Sequence, residues 1–180
     1  MHQFRSHLAC FAPALLMLLV SGQGHAETRQ LPMLVVAAIT PGCRLGSTQT
    51  DVGSFGDIDL GSVANMEKPI QRASSTGAGS IVMNCTPGTN YLISINDGLS
   101  PSGVAGQRRL RSVAPGEAAF LTYQLYQDVA YSRIWGEGAQ ARSGTAKGGV
   151  EEFPVYINVA AKADARPGAY SDTVIVTVSY

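Results

Sequence analysis

The residues best suited to chemistry are scarce and badly spaced for it. The three histidines, His2, His7 and His25, all precede residue 27. Beyond that point there is no imidazole for a Ser-His-Asp or Cys-His pair, and none of the usual nitrogen ligands of a catalytic metal. Carboxylate doublets occur at Asp57/Asp59 and Glu151/Glu152. They are the residue type of a glycosidase acid–base pair, but solvated charge on a turn or strand edge is the simpler account. Asp51, Asp57 and Asp59 do not follow the ligand order of an EF-hand loop. "GEGAQARSG" is rich in glycine yet lacks the lysine and the helix of a phosphate loop. The arginines of "QRRLRS" read as the polar face of a strand, and Trp135 as packing more than as a platform for a sugar ring. No catalytic site, metal or cofactor is expected.

The opening residues explain what compartment the rest meets. Arg5, the apolar run Leu8–Val20 and the small residues Gly24 and Ala26 have the order of a signal peptide over residues 1–26, with Glu27 as the first residue after the cut. Export then leaves Cys43 and Cys85 in an oxidising environment, where a single pair most simply forms one disulfide. A loop of that length gains roughly 4 kcal/mol from the cross-link. Charge is balanced, with 13 basic and 13 acidic side chains. No footprint for nucleic acid or an anionic membrane is present.

The elements available to position these residues are short strands broken by turns. "FGDIDLGSV" alternates. "GSIVMNC" and "TNYLISIND" are two strands joined by Thr86-Pro87-Gly88, with Tyr91, Ile93 and Ile95 on one face of the second. "RRLRSV" and "AFLTYQLYQD" flank the turn "APGE". "VEEFPVYINVAA" and "TVIVTVSY" complete the set, and "RASSTGAGS" and "GEGAQARSGTAKGG" read as loops. No segment has a sustained 3.6-residue period. The pattern predicts an all-β sandwich without a buried helix.

One segment is out of place. "LPMLVVAAIT" (Leu31–Thr40) is intensely apolar, too short to cross a membrane, and lies at the start of the exported chain. By itself it reads as a first strand of the chain's own sheet.

Several stretches together resemble the spore coat protein U domain family, which includes subunits of archaic (Csu-type) chaperone–usher pili. They are "PGC", "FGDIDLG", "GSIVMNCTPGTNYLISINDG", "RRLR", "LTYQLYQD…WGEG" and "PGAYSDTVIVTVSY". The resemblance implies an incomplete immunoglobulin-like sandwich lacking its last strand, with Cys43 and Cys85 as the family's disulfide. It divides the chain into a signal peptide (1–26), an N-terminal extension (27–40) and a pilin domain (41–180). The missing strand leaves an apolar groove beside Thr173–Tyr180, whose Val174, Val176, Val178 and Tyr180 share one face. A periplasmic chaperone fills the groove first. At an outer-membrane usher, a neighbouring pilus subunit then fills it with its own extension.

"LPMLVVAAIT" becomes that donor strand. Alternation puts Leu31, Met33, Val35, Ala37 and Ile39 on one face. Pro32, Leu34, Val36, Ala38 and Thr40 form the other, which is also rather apolar, so the pattern alone leaves parity open. The odd set is preferred because it holds no proline or hydroxyl. The implied destination is a surface pilus, with roles in adhesion and biofilm formation. The rivals are a secreted coat protein and a carbohydrate-binding module built on Trp135 and nearby tyrosines.

Overall fold

The computed structural model describes residues 27–180 except 49, 105, 115 and 117. The expected signal peptide and part of the "APGE" turn lie outside the described residues. The chain divides into a first part ending at Ala37 and a compact second unit, Ala38–Tyr180. In the first, the described residues form no strand or helix, and Leu31, Met33, Leu34, Val35 and Val36 are exposed.

The second unit is all-β, with one short 3-10 turn at Gly138–Gln140. Its strands are β1 (Cys43–Leu45), β2 (Ile70–Ala73), β3 (Ile81–Cys85), β4 (Asn90–Ile95), β5 (Arg108–Ser112) and β6 (Phe120–Tyr126). They continue with β7 (Arg142–Thr145), β8 (Val150–Phe153), β9 (Tyr156–Val159), β10 (Tyr170–Ser171) and β11 (Val176–Ser179). Period-two patterning decides the faces. In β4, Tyr91, Ile93 and Ile95 are buried; in β6, Leu121, Tyr123 and Leu125 are buried while Phe120, Thr122, Gln124 and Tyr126 are half-exposed.

The strands form antiparallel sheets in the orders β1-β3-β8, β10-β5-β6-β9-β2 and β11-β4-β7. A single core joins them into a sandwich: Met83 and Phe153 come from the first sheet, Leu121, Leu125 and Val159 from the second, and Ile93 and Ile95 from the third. Trp135 is 0% exposed within it and its indole N–H donates to the Ile93 carbonyl at 3.0 Å. A ring so enclosed is no sugar platform. Cys43 and Cys85 face each other in the β1–β3 register and are bonded, closing a separation of 42 residues.

Several local expectations are corrected. "FGDIDLGSV" forms no strand, and Phe55, Ile58 and Leu60 all pack on the core instead of alternating. Side chains there compete for the backbone: Ser54 Oγ accepts the Gly56 N–H and Asp59 Oδ1 accepts the Gly61 N–H. The Thr86–Gly88 turn is present, but it passes the chain from one sheet to another, since β3 pairs with β1 and β8 while β4 pairs with β7 and β11. "VEEFPVYINVAA" divides at Pro154, which has no N–H to give a ladder, and its halves join different sheets. The glycine-rich stretch expected as loop contains β7. Gly144 serves packing there, because a Cβ would lie 2.4 Å from the Tyr91 hydroxyl.

Candidate functional site

The last strand pairs on one side only. Val176 opposes Ile95, Thr177 opposes Ser94, Val178 opposes Ile93 and Ser179 opposes Leu92, all on β4. Among the described residues no strand lies along its other edge. Directly opposite residues share a face, so Val176 and Val178 should be as covered as their partners. They are not. Ile93 and Ile95 are 0% exposed, whereas Val174, Val176 and Val178 pack against the core yet remain only part-buried. Tyr180 is 64% exposed, as is Ile175 on the opposite face at 58%. A free row of backbone donors and acceptors beside a half-covered apolar strip is chemically suited to one occupant, an extended strand.

The paired edge, by contrast, is firmly tied. Asn96 N–H donates to the Ile175 carbonyl at 3.1 Å, and Asn96 Oδ1 accepts the Ile175 N–H at 2.8 Å and the Gly98 N–H at 3.1 Å. Just before the strand, Asp172 Oδ2 accepts the Tyr123 hydroxyl at 2.7 Å, and Oδ1 accepts the Leu99 N–H at 2.9 Å. Gly98 makes this approach possible: its φ is +77°, and a Cβ would stand 2.1 Å from Asp172 Oδ2.

Beneath the tie lies Arg108, 0% exposed. Its Nε donates to the Asn96 carbonyl at 2.8 Å. Nη2 reaches the Ile95 and Trp135 carbonyls, and Nη1 the Gln124 amide oxygen, each at 2.9 Å. Burial lowers its pKa from the ordinary arginine value, opposed by Tyr123, Asp97, Asp172 and Glu137. Burial likewise raises the Tyr123 phenol, helped by its hydrogen bond to Asp172, so it stays a neutral donor.

The reading of "QRRLRS" as a polar face therefore needs correction. Strand alternation turns Arg108 and Leu110 inward. Arg109 faces out, its guanidinium 4.3 Å from the Phe120 ring centroid.

Of the expected donor residues, Leu31, Met33 and Val35 are 90%, 84% and 78% exposed, Ala37 is exposed, and Ile39 is 85% exposed. None lies in a strand, so neither face is expressed. The carboxylate doublets serve local structure: Asp59 takes the Gly61 N–H and Glu151 the Lys147 N–H. Sequence reasoning missed Asn96, Arg108, Tyr123 and Asp172 as a cluster. One signal was available, since Tyr123 alternates with Leu121 and Leu125, and an inward phenol needs a partner for its hydroxyl.

Comparison with known proteins gives two kinds of finding. The Spore Coat Protein U domain model matches residues 29–177. No curated protein matches the chain. Among solved structures, the chain is similar to one in the CsuC–CsuE chaperone–tip adhesion subunit pre-assembly complex from archaic chaperone–usher Csu pili of Acinetobacter baumannii. The identity is 23% and the TM-score 0.53, over 79% of this chain and 40% of that one. It is also similar to the P pilus rod subunit PapA, at 16% identity and TM-score 0.51, over 77% of this chain and 98% of that one. This chain thus spans under half of the first structure and nearly all of the second. Likeness at such identities is likeness of fold.

Proposed function

The chain belongs to the spore coat protein U domain family, and from that premise we propose that it is a non-catalytic structural subunit of a surface fibre assembled by donor-strand exchange. Residues 1–26 direct export, 27–40 are the donor extension and 41–180 the receiving body. The groove beside β11 takes a strand from a periplasmic chaperone, then at an outer-membrane usher the extension of a neighbouring subunit. Leu31, Met33, Val35, Ala37 and Ile39 enter it, against Val174, Val176, Val178 and Tyr180. The chain is a shaft or adaptor subunit, exported through the periplasm to the cell surface, where the fibre supports adhesion and biofilm formation.

The observation that carries this reading is the step in burial across one ladder, from Ile93 and Ile95 to Val178 and Val176, at a strand whose outer edge no described residue pairs. The chain also carries an exposed apolar segment of a length to fill such a place. Burying Leu31, Met33, Val35 and Ile39 contributes roughly 1.5–3 kcal/mol each, or about 6–12 kcal/mol before ordering costs. That rivals the net stability of a whole domain, about 5–15 kcal/mol.

The test is expression of the full chain with and without its cognate chaperone and usher, followed by fractionation. A one-to-one chaperone complex and SDS-resistant ladders are expected. Deleting Glu27–Thr40 should keep the chaperone complex and abolish ladders. A stable, soluble monomer that needs no helper and never joins end to end overturns the proposal.

A further inference from the structure

The base of the extension is tied to the body up to the residue next to Ile39. Cys43 is bonded to Cys85, and the Thr86 N–H donates to the Gly42 carbonyl at 2.9 Å. The Thr86 hydroxyl adds a weaker tie, reaching the Thr40 carbonyl at 3.4 Å. The next residue outward is Ile39, 85% exposed. Little slack is left between the body and the last apolar residue of the extension.

The place where these ties converge is itself rigid. The Gly88 N–H donates to the Ala146 carbonyl at 2.9 Å and the Ala146 N–H to the Thr89 carbonyl at 2.8 Å, joining the Thr86–Gly88 turn to the end of β7. Gly148, at φ +87°, lies so close to Pro87 that a Cβ would stand 2.7 Å from Pro87 Cγ. An open depression of about 500 Å³ is found here, lined by Ile39, Gly42, Arg44, Asn84, Pro87 and Gly149 among others. Gly42 and Gly149 bring no side chain to it, so another backbone can approach closely.

We propose that this depression is where a neighbouring copy of the chain rests once it holds the extension, so that consecutive subunits meet in a fixed contact and not through a free linker. The inference rests on the donor-strand reading and adds to it the second surface of the junction. Chain length carries it. Cys43 lies four residues beyond Ile39, and four residues of fully extended chain span only about 13–14 Å. The ties on Thr40 and Gly42 shorten the free span to roughly one residue, about 3.8 Å between successive Cα atoms. A neighbour whose groove holds Ile39 cannot come that near without covering the depression, because Ile39 is part of its wall. Any other partner would have to displace the copy that holds the extension.

The test uses fibres of the full chain, made with its cognate chaperone and usher and imaged by electron microscopy. Gly-Ser-Gly-Ser inserted between Thr40 and Pro41 should keep the SDS-resistant ladders. It should lengthen the repeat per subunit by about 10 Å and cut the persistence length severalfold, since such a linker is a flexible coil. Pro87→Glu leaves the extension untouched and decides the matter where the insertion blocks assembly. It should keep the chaperone complex and the ladders yet also shorten the persistence length, by setting an unpaired charge in the contact. Ladders with parental stiffness in either variant overturn the inference and leave donor-strand exchange standing. Ladders missing from the parent chain overturn both.

Discussion

Parity of the proposed donor segment offers the sharpest test of the assembly reading. Val35 and Val36 are adjacent, of the same type, and 78% and 79% exposed, so the free chain treats them alike. In a docked strand their side chains point to opposite sides. On the proposed reading Val35 enters the neighbour's groove and Val36 stays in solvent. Val35→Asp then loses roughly 1.5–3 kcal/mol of burial and adds several kcal/mol for enclosing an unpaired carboxylate. A total above about 5 kcal/mol corresponds to more than three powers of ten in groove occupancy. Val36→Asp sacrifices only strand preference, within about 1 kcal/mol, or less than tenfold. Ladders of SDS-resistant polymer, with the chaperone complex as a folding control, should therefore vanish for Val35→Asp and persist for Val36→Asp. The reverse result refutes the choice of the odd face. Normal ladders from both refute insertion of the segment altogether.

Four other perturbations probe the body. Arg108→Met removes a buried charge, which alone is often neutral or favourable. It also strips the Ile95, Asn96 and Trp135 carbonyls of a donor, at about 1–3 kcal/mol each. The loss should win by about 3 kcal/mol or more, read as a lower denaturation midpoint of the chaperone complex; an unchanged midpoint contradicts the accounting. Tyr123, whose pKa is raised in the fold, contributes stability that is complete below the ordinary tyrosine value near ~10 and is lost as pH rises through the folded value. Absorbance at alkaline pH should show Tyr123 lagging until the chain unfolds, and with it Tyr91, which burial also raises; a folded chain in which no phenol lags would exclude this. Asp172→Asn should shorten the lag without removing it, since burial is the larger cause. Cys43→Ser should cost up to roughly 4 kcal/mol, seen as reduced periplasmic yield, whereas equal yield together with free thiols in the parent chain would remove the cross-link from the account.

What could be read from the sequence depended on whether a signal was local. Strands β4 and β6 were legible because alternation in "TNYLISIND" and "AFLTYQLYQD" lies within a few residues, and the disulfide because Cys43 and Cys85 had no rival partner after residue 26. β7 was hidden. Its glycine is chosen by the ring of Tyr91 on another strand, so a packing requirement looked like loop composition. The Asn96–Asp172–Tyr123 cluster was hidden for the same reason, with bonds joining residues 49 to 79 positions apart. The proposed groove was suggested only by the family resemblance, because a half-covered valine face has the same pattern as a covered one.

That cluster explains why a strand with an unpaired edge can keep its place. An edge of this kind should fray, and a frayed β11 would have to be ordered at the moment of capture, at about 1–2 kcal/mol for each residue fixed. Asn96 binds both backbone groups of Ile175, and Asp172 joins the strand's start to β6 through Tyr123 and to the β4–β5 loop through Leu99. All of these contacts lie at the entry to β11 or on its β4 side, and none consumes the free edge. On the proposed reading the ordering cost is thus met within the fold, so that an incoming strand would contribute its burial and ladder bonds to affinity instead of to organising the receiver. The stretches bearing these residues, "SINDG", "LTYQLYQD" and "YSDTVIVTV", are far apart in sequence and meet at this one junction. Their chemistry there is suited to keeping the apolar strip half-covered and in register.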